Sequence, residues 1–180
     1  MAPDKLPLHN MSDRHSGLTF AIAESYTEAA RVCLDRHHSP PVDIAIKNAD
    51  DNHGATVDWV PPDNRTRGAW ANETDATEAG AYACVLAALE LTNGLVAVRR
   101  AETKTGADYY VAAPGAGAND LEECLRLEVS GVDKGSEAAV MQRLNVKLEQ
   151  AAAGASNLPA IAGVVGFLAR LIALQPVQES

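Results

Sequence analysis

Gly106-Ala-Asp108-Tyr-Tyr-Val111 and, sixteen residues further on, Leu127-Glu128-Val-Ser130-Gly131 are the stretches whose reading decides the fold. Each is a short run of strand-forming residues that carries one carboxylate. In the second, Leu125, Leu127 and Val129 point one way, and Arg126, Glu128 and Ser130 the other. Upstream, residues 75–92 have helical character: Asp75-Ala-Thr-Glu78 has the form of a capping box, with Asp75 as N-cap, and Asn93-Gly94 supplies the stop. Downstream, Ser136 is placed to cap a helix running to about Ala152, with Val140, Leu144, Leu148 and Ala151 on its buried side. Leu95–Val98 reads as a strand before the first stretch, and Ile161–Phe167 as a buried strand after the second helix. Helices alternating with short strands make an α/β protein, a mixed central sheet flanked by helices.

The rest of the chain is read outward from that core. Residues 1–17 are polar and expected to form a flexible N-terminus, and Leu18–Ala23 a short strand. Glu24 to about His37 has a helical apolar face, stopped by Ser39-Pro40-Pro41. Val42–Lys47 and Ala55–Val60 read as two strands joined by a turn at Asp50–Gly54. Residues 18–62 thus form a small α+β segment that packs on the sheet or extends it. Residues 63–74 read as a polar connector, residues 75–180 as the core, Pro114–Asn119 as a loop, and Leu168–Leu174 as a short final element. The whole is one compact domain of 180 residues.

Composition narrows the function classes. The chain is 47% hydrophobic and 22% charged, ordinary for a globular domain, and its 4% aromatic content argues against base stacking as the main theme. A formal charge of -9 means that any grip on nucleic acid must come from a local patch. Cys33, Cys84 and Cys124 lack metal-ligand spacing, and Cys84 and Cys124 fall in apolar patterns as small buried residues of a reducing compartment. His37-His38 fits a helix C-terminus better than a ligand pair, and His53 falls in a turn. Met1–Asn10 has no apolar signal region and no run reaches the ~18 apolar residues of a membrane span, so no membrane association and a cytoplasmic location are expected. No nucleophile elbow, P-loop or dinucleotide fingerprint occurs.

Carboxylates delivered from neighbouring strands can hold a hard divalent cation. The order of helix, strand, Gly-x-Asp strand, x-Glu-x-x strand, helix and strand over residues 75–170 resembles the PD-(D/E)xK restriction-endonuclease-like superfamily, and within it the Mrr-like branch. Glu78 matches the acid of the first core helix, Gly106 and Asp108 the Gly-x-Asp element, and Glu128 the acid of the E-x-K element. Ser130 stands where the family carries its lysine, a departure from the pattern. Some members move that cation to the following helix, where this chain has Arg143 and Lys147 one turn apart, with Gln150 continuing the stripe.

The resemblance implies Glu78, Asp108 and Glu128 as ligands of Mg²⁺ or Mn²⁺, with Lys147 or Arg143 as the catalytic cation. Its implied function is metal-dependent hydrolysis of DNA phosphodiesters, in bacterial defence or repair. The alternative is a catalytically inactive relative acting as an accessory, immunity or antitoxin-like subunit that binds a protein partner; a homodimer is compatible with either. Plainer roles compete for each residue: Glu78 as the capping-box acid, Asp108 as a solvated strand end, Glu128 as the ion-pair partner of Arg126, Arg143 or Lys147, and Arg143, Lys147 and Glu149 as a solvated helix face.

Overall fold

Hydrophobic periodicity resolves into eight strands and five helices in a computed structural model that describes residues 1–116 and 120–178. In chain order these are β1 (Asp4–Lys5), α1 (Met11–Arg14), α2 (Phe20–Asp35), β2 (Val42–Asn48), β3 (Asp51–Val57), α3 (Asn64–Ala69), α4 (Glu73–Asn93), β4 (Val96–Arg100), β5 (Tyr109–Ala112), β6 (Leu125–Val132), α5 (Glu137–Ala152), β7 (Ala160–Gly166) and β8 (Leu171–Pro176). The strands form one mixed sheet in the order β1-β3-β2-β8-β7-β6-β5-β4. β4, β5 and β6 are an antiparallel meander; β7 returns parallel to β6 through α5, and β8 runs parallel to β2. The α/β architecture expected from the sequence is therefore present, and residues 18–62 extend the sheet.

α4 lies against one face of the sheet with α2 packed upon it, and α5 lies against the other. α4 is buried almost all round, from Gly80 through Leu89, because its sequence there is small and aliphatic on every side. A Cβ on Gly80 would approach the Ala30 backbone of α2 to 3.0 Å, and one on Gly131 of β6 would meet Thr77 at 2.9 Å. Glycine at these positions sets how closely α4 packs between α2 and the sheet. On the opposite face Val140 and Leu144 of α5 pack on Ala162 and Val164 of β7 and Leu171 and Ala173 of β8. Covered on both sides, β7 is buried at all seven residues and reads as a continuous apolar run.

Several local expectations are corrected. Residues 1–17 are not a flexible terminus: Leu6, Leu8, Met11 and His15 are buried, Leu6 N–H donates to Thr56 O at 3.0 Å, and Gly17 N–H donates to Ala97 O at 2.9 Å. The segment thus closes on both edges of the sheet, which masks unpaired strand backbone. Leu18–Ala23 is not a strand: α2 starts at Phe20, the Thr19 hydroxyl capping Ile22 N–H, and Phe20 and Ile22 are left exposed. The hairpin turns at Ala49 and Asp50, and Gly54 lies within β3. The connector contains α3, capped by Asp63. Asn72, not Asp75, caps α4, accepting from Thr74 and Asp75 N–H, so Glu78 has no part in a capping box. Arg99 and Arg100 belong to β4, and the final element is the strand β8. Of the loop Pro114–Asn119, residues 117–119 lie outside the described residues. Ser136 caps α5 and Gly94 ends α4 in a left-handed conformation (φ 65°), as read from the sequence. No helix among the described residues is long and apolar enough to cross a membrane.

The N-terminal closure depends on one neutral imidazole. His15 is fully buried; its Nδ1 accepts from Ala97 N–H at 2.9 Å, which leaves Nε2–H to donate to Glu90 at 2.8 Å. Burial holds the ring below its ordinary value of 6.5, outweighing the opposing pull of the Glu90 carboxylate. Protonation would set N–H against the Ala97 N–H. The stabilisation is present above the unfolded-state value of about 6.5 and is lost as pH falls below it. We expect the melting temperature to drop between about pH 7.5 and about pH 5.5, and His15→Asn, which removes the titrating ring, to flatten that dependence in a thermal melt series.

Candidate functional site

Gly106 determines how the first carboxylate is presented. It adopts φ 69°, and a Cβ there would come within 2.7 Å of Gly154 Cα, just beyond α5. This glycine permits both the left-handed turn and the close approach of the β5 entry to the end of α5. Arg126, 5% exposed, locks the junction: it donates to Thr105 O at 2.8 Å, Ala151 O at 2.9 Å and Leu158 O at 3.0 Å. One guanidinium thereby ties the segment before Asp108, the last turn of α5 and the entry to β7, and it complements the carbonyl end of the helix. Arg126 is consequently not a partner of Glu128.

Asp108 follows at the mouth of β5. Its backbone N–H donates to Leu127 O at 2.7 Å, and its carbonyl accepts from Ala101 N–H at 2.9 Å. Its carboxylate crosses to β6 and α4: Oδ2 accepts from Val129 N–H at 2.8 Å and Oδ1 from the Tyr82 hydroxyl at 3.1 Å. Tyr82 lies one turn beyond Glu78 on α4. Burial and the nearby Asp108 charge push the Tyr82 phenol upward, so it stays a donor. The Arg100 guanidinium sits 4.8 Å from the Tyr82 ring centre and 4.9 Å from that of Tyr109, donates to the Tyr82 hydroxyl at 3.2 Å, and approaches Asp108 to 3.8 Å. Neither Tyr82 nor Arg100 was singled out from the sequence. The usable signals were the spacing of Tyr82 from Glu78 and the basic end of β4.

The second carboxylate answers the question raised by Ser130. Lys147, from the middle of α5, places Nζ 2.8 Å from Glu128 Oε1 and 2.9 Å from Gln150 Oε1. Both side chains of the ion pair are largely buried, 17% and 12% exposed for Lys147 and Glu128. Burial pushes the Glu128 carboxyl upward; Lys147 opposes this and the Asp108 charge reinforces it, which places the two acids in electrostatic contact. Of the three cations weighed for Glu128, the fold selects Lys147.

Asp108 and Lys147 border a polar cleft of about 570 Å³ whose lining also includes Glu78, Tyr82, Ser130 and Arg143, with Glu73, Thr77, Asp133 and Lys134, while Glu128 sits behind Lys147 and is not itself part of the lining. Arg143 makes no ion pair, and Glu78 neither an ion pair nor a side-chain hydrogen bond, with any described residue. Asp133 bonds His37 through Oδ1 at 2.8 Å, while its buried Oδ2 has no hydrogen-bond partner among the described residues. Glu78, Asp108 and Glu128 do not gather as a set: among the described residues no three His, Cys, Asp or Glu side chains lie together as a metal-binding group. The Asp108 charge acts on Glu128, and Asp108 shares the cleft lining with Glu78. An all-carboxylate donor set suits Mg²⁺ or Mn²⁺, which complete their octahedra with water and need only one or two protein carboxylates. The thiols offer no alternative chemistry, since all three cysteines are buried and burial pushes Cys33 up to about 12.

Lys147→Met would leave Glu128 next to Asp108 without its cation. We expect about 1–3 kcal/mol of destabilisation near neutral pH. The loss should shrink toward pH 5, because a carboxyl raised in the folded state can take a proton there. Denaturant unfolding at the two pH values checks this. No protein-family model, curated protein or solved structure matches the chain.

Proposed function

We propose that this cleft is a divalent-metal-dependent phosphodiesterase site acting on DNA. The observation that carries the reading is Lys147 Nζ at 2.8 Å from Glu128 Oε1: a cation supplied from α5 to the acid whose own strand offers only Ser130 two residues on. Asp108 and Glu128 would hold the ion, with Glu78 available from the wall. When bound, Mg²⁺ or Mn²⁺ supplies Lewis-acid polarisation of a phosphoryl oxygen and activation of water. The protein's own part follows from its contacts. Tyr82 and the Val129 amide hold Asp108 in one orientation, so little reorganisation is needed when a ligand arrives. Lys147 opposes the upward push of burial on Glu128 and has a third N–H for a water or phosphate oxygen. Arg143 offers an uncommitted guanidinium fork that suits a phosphate.

A second reading is favoured by the same contacts seen from the other side. Asp108 is already satisfied by two hydrogen bonds and Glu128 by Lys147, an arrangement also adequate for an inactive relative. With a charge of -9, such a protein would complement a basic partner.

Calorimetric titration with Mn²⁺ separates the two. We expect binding that Asp108→Asn abolishes, and cleavage of single-stranded DNA that falls about 10²–10³-fold in Lys147→Met. Absence of Mn²⁺ binding with and without DNA, or cleavage unaltered in Asp108→Ala combined with Glu128→Ala, would reject the phosphodiesterase site in favour of the partner-binding role.

A further inference from the structure

We infer that the substrate held in the cleft is a short, unpaired oligonucleotide gripped through a single backbone phosphate, not a length of duplex. The inference rests on the phosphodiesterase reading and narrows its substrate class. The first argument is charge. Three cations line the cleft, Lys134, Arg143 and Lys147, against four carboxylates, Glu73, Glu78, Asp108 and Asp133, and Glu128 behind Lys147 makes a fifth, a formal excess of two negative charges. Two of the cations are already engaged: Lys134 with Glu73 at 3.2 Å and Lys147 with Glu128. Arg143 alone is left to meet a phosphate directly, and a bound divalent ion would provide the remaining positive charge.

The surface outside the cleft does not supply a track for a second strand. Arg126 is consumed by backbone carbonyls. The cations outside the cleft with no acidic partner among the described residues are Lys5, Arg65, Lys104 and Arg170, which belong to β1, α3, the β4–β5 turn and the β7–β8 turn. A protein that follows duplex DNA neutralises roughly 6–10 phosphates along one continuous basic face. Four cations on four separate elements do not make such a face.

Size and aromatic content agree. At about 570 Å³ the cleft falls in the range of small-molecule sites. Its one aromatic lining residue, Tyr82, is 6% exposed and packed against Tyr26 at 4.9 Å and Arg100 at 4.8 Å, so it offers no open face on which a base could stack. The phosphate is recognised and the base is not read.

The test is fluorescence anisotropy with Ca²⁺ in place of the catalytic ion, using a fluorescein-labelled short oligothymidylate and a labelled mixed-sequence duplex, over about 50 to 200 mM salt. We expect the affinity for oligothymidylate to fall with salt at a log–log slope of about -0.7, the single-strand value for one phosphate, and Arg143→Ala to bring it near zero. Lys104→Ala, outside the cleft, should leave the slope unchanged. The duplex should bind no more tightly than the single strand. A duplex slope of about -5 or steeper, or a slope reduced by Lys104→Ala, would overturn the inference. So would Mn²⁺ binding in calorimetry without binding of either DNA, an outcome that leaves the metal site standing. Failure of the Mn²⁺ titration itself would strike the underlying reading instead.

Discussion

The fold depends on how closely α4 can approach its neighbours. A helix of mostly small and aliphatic residues, buried on nearly every side, gains its stability from packing and not from an amphipathic stripe. Gly80 lets it meet the α2 backbone, and Gly131 lets β6 meet Thr77. A side chain at either position would push α4 outward and separate layers whose contacts are made at van der Waals distance. The consequence reaches the cleft, because Glu78 and Tyr82 lie on this helix while Val129 and Glu128 lie on the strand beneath it. The reach of the Tyr82 hydroxyl to Asp108 is set by that packing.

The cleft itself is governed by the cost of holding several charges in a partly dry place. Carboxylates at the entry to β5 and in the middle of β6 would repel each other if left alone, and each is answered by a different device. Asp108 receives a backbone amide and a phenol, with Arg100 held nearby by two tyrosine rings; Glu128 receives an ammonium from the opposite layer. The Arg126 clamp makes these devices mutually consistent by tying the β5 entry to the end of α5, the helix that carries Lys147. Such an arrangement is oriented before any ligand arrives.

Much of the core was legible from local signals. The apolar alternation of Leu125, Leu127 and Val129, the Ser136 cap and the stripe of α5 all correspond to elements found, since each rests on periodicity or on a backbone group that must be satisfied at a helix end. Errors fell where two local signals compete. Asp75-Ala-Thr-Glu78 is a sound capping pattern, but Asn72 three residues earlier is also a strong cap, and the longer helix buries Ala76. Leu18–Ala23 has strand-forming residues, yet the Thr19 hydroxyl caps Ile22 N–H and turns the chain into α2 from Phe20. The first seventeen residues looked too polar to order, because Leu6, Leu8 and Met11 are buried by edge strands far away in sequence.

Sequence alone determined that this chain has two strand-borne carboxylates, a serine, Ser130, two residues after the second, and two cations on the following helix. It also determined that a mixed sheet flanked by helices would carry them, because strand and helix periods are written residue by residue. Only the tertiary structure decided that Lys147 answers Glu128, that Arg126 is spent on carbonyls while Arg143 has no ion-pair partner among the described residues, and that the three acids do not gather as one group among those residues. Those outcomes depend on distances between elements that share no local signal, and such distances are settled by packing of α4 and α5 against the sheet, not by the identity of any one residue.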